Sequence, residues 1–133
     1  MALRWYTTVI DCRDIHAQAR WWAETLGWRL VVETDEVAVI RASMPEETVP
    51  TLEAWLRTGQ GLAFVPVPEG KSVKNRLHLD LAPHTSQDRD AEIARLVERG
   101  ATLADVGQPS DVTWTVLSDP EGNELCVLSA RAR

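Results

Sequence analysis

Gly27 and Gly100 each end a helix-patterned stretch, and each is followed by three strand-like segments. This doubled punctuation constrains the fold more than any other feature of the chain. In the first half, residues 5–12 alternate and are β-branched, which predicts a strand. A helix should follow, with Asp14 as N-cap, Ile15, Ala19, Trp22 and Leu26 on one apolar stripe, and Gly27 as its left-handed stop. Residues 28–32, 37–42 and 61–67 then read as three more strands. The second half repeats the order. It has a strand over 75–82, a helix capped near Thr85 or Ser86 with Ile93, Leu96 and Val97 as its buried stripe, and strands over 101–106, 113–117 and 123–128. Between the last two, Asp119-Pro120-Glu121-Gly122 carries the residues of a type I turn at its corners. The stop glycines are 73 positions apart and the strand starts near Arg4 and Asn75 are 71 apart, so the register of a βαβββ duplication holds to about two residues.

The fold class predicted from this pattern is α+β, one domain over 1–133 with a first module at 1–70 and a second at 71–133. The halves differ in one place. Residues 44–60 form an insertion with a short helix expected over 51–58, where Leu52, Trp55 and Leu56 share one side. It reads as a lid, a dimer contact, or a flap over its own core. Pro66 and Pro68 suggest a sheet edge near the fourth strand, because proline cannot donate to a ladder.

Bulk properties exclude several function classes. At 133 residues and 44% hydrophobic content the chain can fill one core without staples. Its net charge of −6, with no dense Lys/Arg cluster, makes nucleic acid a poor partner. No stretch has a signal-peptide or membrane-helix pattern, so a cytoplasmic protein without membrane association is expected. Cys12 and Cys126 are too few for a disulfide framework and are expected as reduced thiols.

The segment Arg20-Trp21-Trp22-Ala23-Glu24-Thr25-Leu26-Gly27-Trp28 resembles the helix-to-strand text of the vicinal-oxygen-chelate superfamily, which includes glyoxalase I, bleomycin-resistance proteins and extradiol dioxygenases. A sharper likeness lies in Lys74-Asn75-Arg76-Leu77-His78-Leu79-Asp80-Leu81 together with Asp119-Pro120-Glu121-Gly122-Asn123-Glu124-Leu125-Cys126, a pair similar to that of the glyoxalase-like subgroup. The resemblance implies curled mixed sheets around a ligand cup, with helices on the convex side. It also implies four metal-ligand positions in metal-dependent members, which fall here on Thr7, Val65, His78 and Cys126. Only His78 is a typical ligand of that kind, and valine cannot donate at all. No metal and no cofactor are therefore expected.

Strand alternation nominates the cup-facing residues. Arg76, His78 and Asp80 share one face of the 75–82 strand, opposite Leu77, Leu79 and Leu81. Trp5, Thr7, Val9 and Asp11 share a face of the first strand, and Glu124, Cys126 and Leu128 a face of the last, with Ala63, Val65 and Val67 as an apolar wall. Arg76 has the planar fork that grips a carboxylate, or it is ion-paired with Asp80 or Asp11. His78 suits a general base, or it is a satisfied, non-catalytic histidine. Glu124 reads as a rim residue, Lys71 and Lys74 as a basic lip or as solvated loop charges, and Cys126 as a small hydrophobe before a nucleophile. Trp5 and Trp114 are candidates to stack on a ligand, while Trp21, Trp28 and Trp55 suit core packing or a subunit contact.

The candidate ligand-binding set is thus Trp5, Thr7, Val65, Arg76, His78, Asp80, Trp114, Glu124 and Cys126, with His78 as the candidate catalytic residue. Three functions fit it. The leading one is a non-metal small-molecule-binding protein, acting as a homodimer, that sequesters an aromatic or carboxylated metabolite. A second is a lyase or isomerase using His78 as general base. A third is an accessory subunit with a vestigial cup.

Overall fold

Asp14 turns the chain from strand into helix: its carboxylate accepts from the Ala17 N–H at 3.0 Å, and Gly27, at φ 65°, closes the helix by bonding back to the carbonyls of Ala23 and Glu24. The computed structural model describes residues 2–44 and 48–133. The chain divides into two compact units, Met1–Gly70 and Lys71–Arg133.

In the first unit β1 (Thr7–Cys12), α1 (Ile15–Leu26), β2 (Arg29–Glu33), β3 (Ala38–Arg41), α2 (Leu52–Arg57) and β4 (Gly61–Pro66) follow in order, and the sheet runs β1-β4-β3-β2. The pair β1–β4 is parallel and the other two are antiparallel. Register partners Ala38 and Phe64, and Ile40 and Leu62, put four buried residues on one face. α1 packs there with Ile15, Ala19 and Trp22. The opposite face carries Thr7, Val9 and Asp11 beside Gly61, Ala63 and Val65. Gly61 is required for space, since a Cβ would come within 2.8 Å of the Ile40 carbonyl oxygen. β4 lies between β1 and β3, so Pro66 does not mark an edge; it is the last residue of the strand, where a missing N–H costs little. Replacing Asp14 with alanine is expected to lower unfolding free energy by about 1 kcal/mol, read from the midpoint of a urea titration.

The insertion forms α2, capped by Thr51, within the expected 51–58, but none of its residues is buried. Trp55 is held instead by Arg4, whose guanidinium lies 4.8 Å from the Tyr6 ring and 4.9 Å from the Trp55 ring and donates to the Trp55 carbonyl. Residues 45–47 of the insertion lie outside the described residues.

The second unit contains β5 (Leu79–Leu81), α3 (Arg89–Glu98), β6 (Thr102–Leu103), β7 (Thr115–Ser118) and β8 (Glu124–Val127), ordered β5-β8-β7-β6, the same topology as the first. Its core sets Leu117 and Leu125 beside each other in the ladder, both fully buried. The Asp119 turn is built as its residues imply: Asp119 accepts from the amides of Glu121 and Asn123, and Gly122 takes φ 93°. Arg89, at the start of α3, donates to the carbonyls of Val127 and Leu128 and to the Thr115 hydroxyl.

Four expectations need correction here. The helix cap is Asp88, not Thr85 or Ser86, because Ser86 is drawn into a turn with the His84 ring. Val97 is exposed, leaving Leu96 as the buried member of the α3 stripe. Strand 101–106 shrinks to two residues. Strand 75–82 shrinks to β5, so alternation does not extend back to Leu77, which is 85% exposed instead of facing a helix.

Candidate functional site

Asp80 and Cys126 are register partners across the parallel β5–β8 pair, and parallel partners project from the same face. His78 lies two residues before Asp80 and turns its ring toward it, with Nε2 3.2 Å from the Asp80 carboxylate. One ligand atom from each of His78, Asp80 and Cys126 lies within 4.8 Å of the others. The thiol forms the floor, buried, while His78 and Asp80 are half exposed. Burial pushes the Cys126 thiol pKa up, and the charge of Asp80 and its hydrogen bond to the thiol push the same way. Such a thiol stays protonated at neutral pH and is a poor nucleophile.

Residues 71–76 pass beside this cluster as an anchored loop, not a strand. Lys71 Nζ meets Glu124 Oε1 at 2.8 Å, the Asn75 amide donates to Glu124 Oε2 at 3.1 Å, and the Asn75 side chain donates to Asn123 Oδ1 at 2.9 Å. Glu124 is therefore a buried anchor and not a rim residue, and Lys71 is committed to it and not free to form a lip. Burial alone would raise the Glu124 pKa, but the hydrogen bonds from Lys71, from the Asn75 amide and from its own amide, with the Lys71 charge, leave it lowered. An open recess of about 560 Å³ lies against Val73, Lys74, Asn75 and Arg76. The Asp80 carboxylate, offered above as a partner for Arg76, faces His78.

In the first unit the Thr7 hydroxyl is bonded to the Gly61 carbonyl at 3.1 Å. Val65 pairs with Asp11, four positions along the ladder from the Thr7–Gly61 pair, or about 13 Å. Thr7 and Val65 are thus not brought together. Trp5 and Trp114 are exposed, and Trp21 is buried edge-on against Trp22.

A doubled βαβββ chain with this sheet order, and with polar groups gathered on the face of its parallel strand pair, defines a protein of the vicinal-oxygen-chelate class. Residues 7–128 match the family model described as a glyoxalase-like domain, and the chain belongs to that family. Solved structures share the fold. One is a glyoxalase/bleomycin resistance protein/dioxygenase family enzyme from Burkholderia phytofirmans PsJN, at 16% identity and TM-score 0.68, covering 97% of this chain and 100% of that one. A second is a glyoxalase-related enzyme from Fulvimarina pelagi, at 18% identity and TM-score 0.64, covering 93% and 86%. A third is the fosfomycin resistance protein FosX from Mesorhizobium loti, at 12% identity and TM-score 0.65, covering 96% and 92%. No curated protein matches the chain. No helix among the described residues is long and apolar enough to cross a membrane.

The pairing register also tests the four metal positions implied by the family. Leu128 N donates to Leu81 O in the second unit where Val67 N donates to Cys12 O in the first, so Cys126 corresponds to Val65 and Leu81 to Cys12. Counting back along the strands, Asp80 corresponds to Asp11 and His78 to Val9. By this register the first-unit counterparts of His78 and Cys126 are two valines, and Thr7 sits two residues away with its hydroxyl engaged. A metal shared between two ligands from each half does not fit these residues.

Proposed function

We propose that this protein binds a small aromatic or carboxylated metabolite and does so without a family-type catalytic metal. His78 and Asp80 supply the polar contacts, and Arg76 pairs with the ligand's anionic group. The observation that carries this reading is the convergence of His78, Asp80 and Cys126 within 4.8 Å, with an open recess against Lys74 and Arg76 on the loop that leads into it. A few polar groups gathered beside apolar surface are what small-molecule sites present. Exposed Trp5, Tyr6 and Val9 on or beside the edge strand β1 support a homodimer as the acting form.

A specific contact favours a second reading, proton transfer. The Asp80 carboxylate at 3.2 Å from Nε2 orients the His78 ring, which leaves Nδ1 to take a proton from a carbon beside a carbonyl. Titrating chelator-treated protein with aromatic carboxylates, followed by tryptophan fluorescence, tests both readings. His78→Ala is expected to weaken binding by about tenfold or more, the loss of one charge-assisted contact, with the circular dichroism spectrum unchanged. Identical titrations of wild type and variant would sink the binding site. Turnover lost in His78→Ala with affinity retained would establish the lyase or isomerase.

A further inference from the structure

The four-position metal site fails in the first unit, yet the second unit gathers three donors of its own, and one of them, Asp80, is not a family ligand position. We infer that His78, Asp80 and Cys126 form a one-sided site for a thiophilic divalent cation of the zinc type, held entirely within the second unit. This goes beyond the metabolite-binding reading and does not depend on it.

Donor geometry comes first. Zinc bonds of about 2.0 to 2.3 Å in a tetrahedron place donor atoms about 3.3 to 3.8 Å apart. His78 Nε2 and Asp80 Oδ1 are already 3.2 Å apart, and the Cys126 sulfur lies within 4.8 Å of a ring nitrogen of His78 and a carboxylate oxygen of Asp80, so closure needs a side-chain shift of about 1 Å. Backbone order is largely in place, because Asp80 and Cys126 are fixed opposite each other by the β5–β8 ladder. The only donor to be recruited from outside the strands is His78, and it is already turned toward Asp80.

Donor chemistry decides the ion. A thiolate, an imidazole and a carboxylate together suit zinc and its softer relatives and disfavour magnesium or calcium, which want oxygen alone. The Cys126 thiol would release its proton to solvent on coordination, and Asp80, which now faces the His78 ring, would turn to ligate the ion. Access is open. Cys126 is the buried floor, whereas His78 and Asp80 stand half exposed at the mouth, which leaves the fourth position to water or an incoming ligand atom.

The test uses the full-length, reduced protein, stripped with a chelator and titrated with cobalt(II). A near-ultraviolet thiolate-to-cobalt charge-transfer band should rise to saturation at one equivalent and be displaced by zinc. Cys126→Ser should abolish the band. Asp80→Ala, at a half-exposed position where folding is not at stake, should weaken zinc at least about tenfold in a competition titration. Thr7→Val should leave both readouts unchanged. Absence of the band at one equivalent, an unaltered Asp80→Ala titration, or loss of binding in Thr7→Val would each overturn the one-sided site. Because the metabolite titration uses chelator-treated protein without added metal, its failure and the failure of this site are separate results.

Discussion

Phe64→Ala is expected to lower the unfolding free energy by about 3 to 5 kcal/mol, while Val9→Ala, on the neighbouring strand, changes it by no more than about 0.5 kcal/mol. Phe64 is fully buried at the centre of β4, with Ala38 opposite in the antiparallel ladder and α1 packed over the same face. Truncation removes the ring's transfer energy and leaves a void that the ladders on both sides of β4 cannot close, because β4 is tied to β1 and β3 at once. Val9 belongs to the other face of the sheet and is 54% exposed. Urea titrations of the two variants therefore read the inside and outside of one sheet. Similar costs at both sites, or a loss at Phe64 below about 1 kcal/mol, would show that the assignment of faces is wrong.

That assignment was legible in the sequence wherever local chemistry decides. The carboxylate of Asp14, the glycine at 27 and the Asp-Pro-Glu-Gly turn each act within a few residues, and all are built as their types imply. The sequence also grouped His78 with Asp80, and the two side chains lie 3.2 Å apart, although His78 precedes the strand. What it could not supply was anything set by a partner far along the chain. Residues 75–78 have strand-like composition, but Asn75 is claimed by Glu124 and Asn123, 49 and 48 positions away, and this bends the segment off the ladder before Leu79. The partnership of Asp80 with Cys126 is likewise a matter of register between strands that only folding brings together. The position level with His78 in the first unit falls on Val9 and not Thr7 for the same reason: a shift of two keeps the alternation intact, so the sequence pattern cannot detect it.

Glu124 shows how much a distant partner changes a residue's meaning, and Glu124→Ala is expected to cost about 3 kcal/mol at neutral pH, since removing one member of a buried ion pair strands the other. The side chains of Glu124 and Lys71 are 8% and 19% exposed, so the ammonium left behind recovers only part of its hydration. Asn75 loses its backbone anchor as well, and the loop carrying Arg76 loosens. The effect depends on pH with a definite sign. The carboxyl pKa is lowered in the folded chain from its ordinary 4.5, so the stabilisation is fully present above that value and is lost as the pH falls through the folded-state value. The gap in stability between wild type and Glu124→Ala should therefore narrow on acidification below about pH 4.5. A gap that stays constant through that range would assign the cost to lost packing and not to charge. A double replacement, Lys71→Met with Glu124→Leu, separates the same two causes. Matched apolar groups in place of the pair should restore most of the lost stability, because the attraction within a buried pair barely exceeds the cost of drying its charges. The variant would still lack the carboxylate that holds the Asn75 amide, so weakened binding of an aromatic carboxylate in a stably folded protein would show that the anchor serves the site more than the fold.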